Sequence, residues 1–132
     1  MWSNTSPLRT PLLNRDGGLS APWQSWFSRQ DLLHSITMAK VAAKTASYKA
    51  ASESVILVDA TAGNLTVSLP PAASVPNRVY CVKKIDGEVG TVTVDADASE
   101  TIDGATTKVL SAQYAAVTIV SDGTAWHILG TV

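Results

Sequence analysis

From Thr45 onward, apolar residues alternate with polar ones or cluster as β-branched pairs in short runs, and each run is closed by Gly, Pro, Asn or Asp. The runs are TASYKA, SVILVD, NLTVSL, RVYCVKKI, GTVTVDA, ETID, TKVLSA, AAVTIVS and TAWHILG. A period of two marks strands with one buried face, and turn residues recurring every 8 to 12 positions or so mark their ends. The spacing predicts a mainly β protein in which 45–132 form a small antiparallel β-sandwich or barrel-like domain, because parallel neighbours would need long crossovers. In AVTIVS-DG-TAWHIL, Asp122 and Gly123 stand where they can supply the positive φ angles of a two-residue hairpin turn. ATAGN (60–64) and DGEVG (86–90) read as looser hairpin loops. LPPAASVPN (69–77) reads as a longer connection whose prolines cannot join a ladder.

Several of these runs are apolar on both alternating faces, as in Val55, Ile56, Leu57 and Val58 and again in Val117, Ile119 and Val120. A strand apolar on both sides needs a layer over each face, and a small sandwich has only one interior. The second face is expected to be covered by a copy of the chain or by a helix, which points to an oligomer.

Upstream the period changes. Between Trp23 and Val41 the residues Trp23, Trp26, Phe27, Leu33, Ile36 and Val41 fall mostly three, four or seven apart, while Ser28, Arg29, Asp31 and Lys40 lie elsewhere. Ser20 is placed as an N-cap and Pro22 in the first turn, so 20–44 is expected to be a helix, about six turns and ~35 Å long. Residues 1–19 contain Pro7, Pro11, Asn14, Asp16, Gly17 and Gly18, which resist helix and strand, and read as an extended arm. Its leucines, Leu8, Leu12, Leu13 and Leu19, are too many for a solvated tail. The β zone holds enough apolar residues for its own core. Leu12 and Leu13 of the arm and the cluster Trp23, Trp26 and Phe27 are therefore expected to bind a partner.

Length and charge refine this picture. A chain of 132 residues accommodates one modest domain plus a tail. The formal net charge of -1 divides unevenly. Arg9, Arg15, Arg29, Lys40, Lys44 and Lys49 face only Asp16 and Asp31 in the first fifty residues, whereas acids dominate after them. The basic residues are scattered singly, without the clustering or aromatic interleaving of a nucleic-acid groove, so no nucleic-acid partner is expected. The opening MWSNTSPLRT has no basic region followed by an apolar run, and no apolar stretch approaches the ~18 residues of a membrane span, so neither a secretory signal nor membrane insertion is expected.

Candidate chemistry is sparse. Cys81 is the only cysteine, which excludes an intrachain disulfide and two-cysteine zinc or redox motifs. Between Tyr80 and Val82 it reads as an inert thiol, although Lys83 and Lys84 leave a nucleophile open. His34 and His127 have no ligand-forming neighbour at metal spacing. Asp95, Asp97, Glu100 and Asp103 in DADASETID match no EF-hand loop and read as a solvated acidic loop beside the Asp103-Gly104 turn, with a calcium site or glycosidase pair as the alternatives. Gly17-Gly18 opens no phosphate loop. No catalytic residue, cofactor or metal site is expected.

The segments SVILVDATAGNLTVSLPPAASVPNRVYCVKKID, TVTVDADASETIDGAT and SAQYAAVTIVSDGTAWHIL resemble a β module of tailed-bacteriophage fibre and other virion structural proteins. PLLNRDGGLSAPWQSWF is similar to N-terminal segments of phage fibre proteins. The loop DGEVGTVTV departs from the resemblance in being poor in Ser and Asn. The resemblance implies a trimeric, noncatalytic domain displayed on a virion and made in the host bacterial cytoplasm, attached to other virion proteins through its N-terminus. The leading expectation is a short trimeric tail fibre or knob. A capsid decoration, cement or head-fibre protein differs from it only in where the arm docks. A receptor- or glycan-binding module, touching sugar through Trp126, Tyr114 or the Asp122-Gly123 turn, is the expectation from a different class. A depolymerase is least compatible with this length.

Overall fold

The computed structural model describes Ser20 and residues 40–132. The expected arm over 1–19, the helix over 21–39 and the candidate partner-binding residues Leu12, Leu13, Trp23, Trp26 and Phe27 lie outside the described residues, as does His34. The chain divides after Met38 into two units, and the second, from Ala39 to Val132, contains the β structure described below.

Nine strands follow one another: β1 (Val41–Lys44), β2 (Tyr48–Lys49), β3 (Val55–Val58), β4 (Leu65–Ser68), β5 (Val79–Lys84), β6 (Val92–Asp95), β7 (Thr107–Leu110), β8 (Ala116–Ser121) and β9 (Trp126–Thr131). Eight of the nine runs singled out in the sequence contain one of them, and ETID supplies only isolated bridges from Ile102 to Ala105 and Trp126. The strand β1 occupies residues 41–44, where the end of the helix is expected. Pairing of Val41–Lys44 with Val55–Val58 outweighs the helical preference of Ala-Ala-Lys, because the ladder bonds to β3 exceed a propensity of roughly tenths of a kcal/mol per residue.

The strands form two mixed sheets, ordered β1-β3-β5-β8-β9 and β2-β4-β6-β7, and neither closes into a barrel. This corrects the antiparallel expectation. β1, β3 and β5 run parallel to one another, as do β2, β4 and β6. Antiparallel pairing is confined to β5 with β8, β8 with β9, and β6 with β7. A crossover need not be a helix: the chain passes from β1 to β3 through β2, and from β3 to β5 through β4, each time using a strand of the opposite sheet. The result is a short two-sheet solenoid whose successive coils stack in register and whose far end is closed by antiparallel strands. ATAGN and DGEVG therefore do not turn hairpins. Each carries the chain from one sheet to the other, ATAGN between β3 and β4 and DGEVG between β5 and β6.

These two arches sit one on the other. Asn64 Oδ1 accepts the Thr91 N–H at 2.9 Å and the Thr91 hydroxyl at 3.2 Å. A Cβ on Gly90 would collide with the Ala60 carbonyl oxygen, so only glycine lets the arches approach this closely. The connection 69–77 holds a single 3-10 turn, Ala72–Ser74, and its prolines stay out of the ladders as expected.

Between the sheets lies a core of Ile56, Val58, Tyr80, Val82, Val117, Ile119 and Trp126 from one side and Val67, Val92, Val94 and Leu110 from the other. β-Branched residues dominate it because they fit a pleated surface buried on one face.

Candidate functional site

The hairpin joining β8 to β9 forms where the sequence places it, but by another device. Ser121 pairs with Trp126, so the loop has four residues, and Gly123 alone among them has a positive φ, +91°. Asp122 works through its side chain: Oδ1 accepts the N–H groups of Thr124 at 2.7 Å and Ala125 at 2.8 Å. Its Oδ2 lies 2.7 Å from His127 Nε2. On the other side of that ring, Nδ1 is 3.7 Å from Asp103 Oδ1, which also accepts the Ile128 N–H. The half-exposed His127 thus stands between two carboxylates, one holding the turn from β8 to β9 and the other the Ile128 N–H of β9. Its two nitrogens point to different carboxylates, so the three side chains do not converge on one ligand position.

The Ala125 N–H first, then His127 and the Thr124 N–H, hold the Asp122 carboxyl down at about 2. A carboxylate whose folded value lies below its ordinary 3.8 contributes stability that is fully present above pH ~4 and is lost as pH falls toward 2. The backbone amide resonances of Thr124 and Ala125 should accordingly titrate with a midpoint near pH 2, and Asp122→Asn should abolish that titration. A midpoint near 3.8 would place the carboxylate out of contact with both amides.

The second polar centre was not anticipated. Tyr80, Val82 and Lys84 alternate along β5 on its inward face, and Lys84 is fully buried. Its ammonium donates to Asp86 Oδ1 at 2.5 Å, to the Asp86 carbonyl at 2.9 Å and to the Glu88 carbonyl at 3.1 Å. Asp86 completes the lock by accepting the Ala60 N–H through Oδ2 at 2.6 Å and the Glu88 N–H through Oδ1 at 3.1 Å. Lys84 above all, together with these N–H donors, keeps the Asp86 carboxyl at about 2. Each bond in this group fastens the arch at 86–90 to the end of β5, to itself or to the arch at 60–64.

A third group lies at the entry to β3. Glu53 is buried and accepts from the Ala51 N–H at 2.9 Å and the Tyr48 hydroxyl at 3.1 Å, while the Lys44 ammonium stands 3.7 Å from the centre of the Tyr48 ring. Burial alone would raise the Glu53 carboxyl, but these donors and Lys44 hold it below its ordinary value. The Arg78 guanidinium donates to the Glu53 carbonyl at 2.5 Å, and the Tyr80 hydroxyl to the Ala51 carbonyl at 2.6 Å.

The acidic run disperses. Glu100 turns inward and both its carboxylate oxygens accept the Ala72 N–H at 3.0 Å, at the start of the 3-10 turn. Asp103 holds Ile128, as above. Among the described residues no group of three or more His, Cys, Asp or Glu side chains is gathered to hold a metal ion. Trp126 is fully buried against Tyr80, with ring centres 5.7 Å apart, which removes it from any sugar-contacting role. Tyr114 is exposed, with Lys83 Nζ 5.4 Å from its ring centre. Cys81 is half-buried on the outer face of β5.

Polar side chains thus serve the turns, and the distinctive remaining surface is apolar. The outward positions of the four-stranded sheet are polar at Lys49, Thr66, Ser68, Thr93, Asp95 and Thr107 and apolar at the exposed Val109. Those of the five-stranded sheet include Val41, Val55, Leu57, Cys81, Thr118 and Val120. This second apolar face is where the sequence locates one, and it is the candidate functional site. Among the described residues no helix is long and apolar enough to cross a membrane. Neither the protein-family models nor the curated proteins searched contain a match to the chain.

Proposed function

We propose that the chain is a non-enzymatic structural protein of a tailed-bacteriophage virion, a short trimeric tail fibre or knob. In this reading residues 1 to about 27 anchor it to the particle, and the β unit projects outward. The observation that carries it is the division of labour among side chains. The ionisable groups Lys84, Asp86, Glu53, Glu100 and Asp122 are each bonded to backbone at an arch or turn, while the outward face of the five-stranded sheet is mostly apolar, with Lys83 and His127 at its outer rows. That is the construction of a scaffold with a contact surface, and it accords with the resemblance of 54–129 to virion β modules and of the arm to fibre N-termini.

The test is incorporation. Deleting residues 1–27 should leave a folded, soluble β unit that no longer joins particles, and electron microscopy of virions with and without the protein should remove density from the tail or baseplate. Density lost from the capsid shell would make it a decoration or head-fibre protein instead. Particles identical in the two preparations would overturn the virion assignment. Failure of the truncated chain to fold would make Trp23, Trp26 and Phe27 core residues rather than anchors.

A further inference from the structure

We propose that the outward face of the five-stranded sheet is the surface through which copies of this chain meet. The inference deepens the oligomer named above and rests on that reading for the number of copies, but not for the virion role.

The ladder registers assemble the face row by row. Val41, Val55, Cys81 and Thr118 are successive neighbours across β1, β3, β5 and β8. Ala43, Leu57 and Lys83 form the next row, and Val79, Val120 and His127 the one on the other side. Alternation places all of these opposite the buried Ile56, Val58, Tyr80, Val82 and Ile119, so they point away from the core. Val41 and Val79 are 62% and 40% exposed, well above the ordinary state of a strand valine.

Charge selects the occupant. Acids outnumber bases over residues 51–132, yet none of the outward strand positions of this sheet carries a carboxylate. The two basic side chains, Lys83 and His127, lie in the outer rows on opposite sides of the Val55–Cys81 row. The central row of such a face, Val41, Val55, Cys81 and Thr118, carries no charged side chain. The face can meet its own image around a symmetry axis without placing like charges at the centre of the contact. Five strands at ~4.8 Å and four to six residues at ~3.3 Å give it roughly 300–450 Å². That is the size of an apolar interface centre and less than the ~800 Å² per partner of a complete interface. Lys83, Tyr114 and His127 then belong to the polar rim that completes it.

Cys81, the chain's only cysteine, reports on the central row without any substitution. With the full-length protein, sedimentation velocity gives the mass while a bulky maleimide measures Cys81 labelling across a dilution series. Labelling is expected to be at least tenfold slower in the oligomer than after dissociation, and Leu57→Glu should lower the mass and remove that protection. Should Leu57→Glu misfold by circular dichroism, Thr118→Arg probes the same face, and the wild-type dilution series stands by itself. Labelling equally fast in oligomer and monomer, or an oligomer undisturbed by a folded Leu57→Glu or Thr118→Arg, would overturn the proposal. A monomer with protected Cys81 would also overturn it, by placing another part of the same chain on the face. Since particle incorporation is not read here, either outcome leaves the virion assignment to its own test.

Discussion

Lys84→Met should cost ~3–5 kcal/mol of stability, read as a fall in the urea midpoint at unchanged slope. Methionine nearly matches the shape of the aliphatic stem, so packing against the core is largely retained and the loss is one of charge and donors. Without the ammonium, the carbonyls of Asp86 and Glu88 and the Asp86 carboxylate all lose a donor beside the core. Breaking one member of a buried pair is expensive for this reason, whereas replacing both members by apolar groups is often neutral. Here even that compensation is blocked. Asp86 also accepts the Ala60 and Glu88 N–H groups, so Lys84→Met combined with Asp86→Leu strands two further backbone donors and should be no more stable than the single variant. A loss under ~1 kcal/mol for Lys84→Met would mean that water reaches the ammonium and that the two arches are not locked together through it.

Lys84 also marks how far local pattern carries. The alternation Tyr80, Val82, Lys84 already puts a lysine on the inward face of a strand, which is a signal for a buried, partnered cation. Its partner is not legible in the same way: Asp86 is two residues on, beyond the strand, and becomes a partner only because the arch folds back over Lys84. The strand positions follow from period two and the turn residues, so β2 to β9 appear close to their expected places. Strand direction does not follow from them. Period two reports which side of a strand is buried and carries no information about which strand lies beside it. The expectation that parallel pairing requires a separate crossover element overlooked a crossover that is itself a strand of the opposite sheet. Once ATAGN and DGEVG are arches, Gly90 and Asn64 acquire reasons that a hairpin would not give them. The surplus apolar face, by contrast, was plain in Val55 to Val58 and in Val117 to Val120, because two apolar faces on one strand need two layers whatever the topology.

Trp126→Ala should destabilise the protein by ~3–5 kcal/mol, the range of a large aromatic removed from a packed core, and Trp126→Phe by far less. The indole is fully buried against Tyr80, while its Nε1 finds no acceptor among the described residues. A buried donor without an acceptor costs ~1–3 kcal/mol relative to one that is paired. Phenylalanine keeps an aromatic ring beside Tyr80 and discards that N–H, so the cavity it leaves is offset by the penalty it removes, and the net change should fall within ~1 kcal/mol. The pair of variants therefore separates the two roles a tryptophan near a surface turn can have. A core residue loses stability on truncation to alanine and tolerates phenylalanine. A sugar-contacting residue would leave stability nearly unchanged in both and lose binding instead. Urea unfolding of the two variants against wild type decides between them. A Trp126→Ala variant as stable as wild type would return Trp126 to the surface.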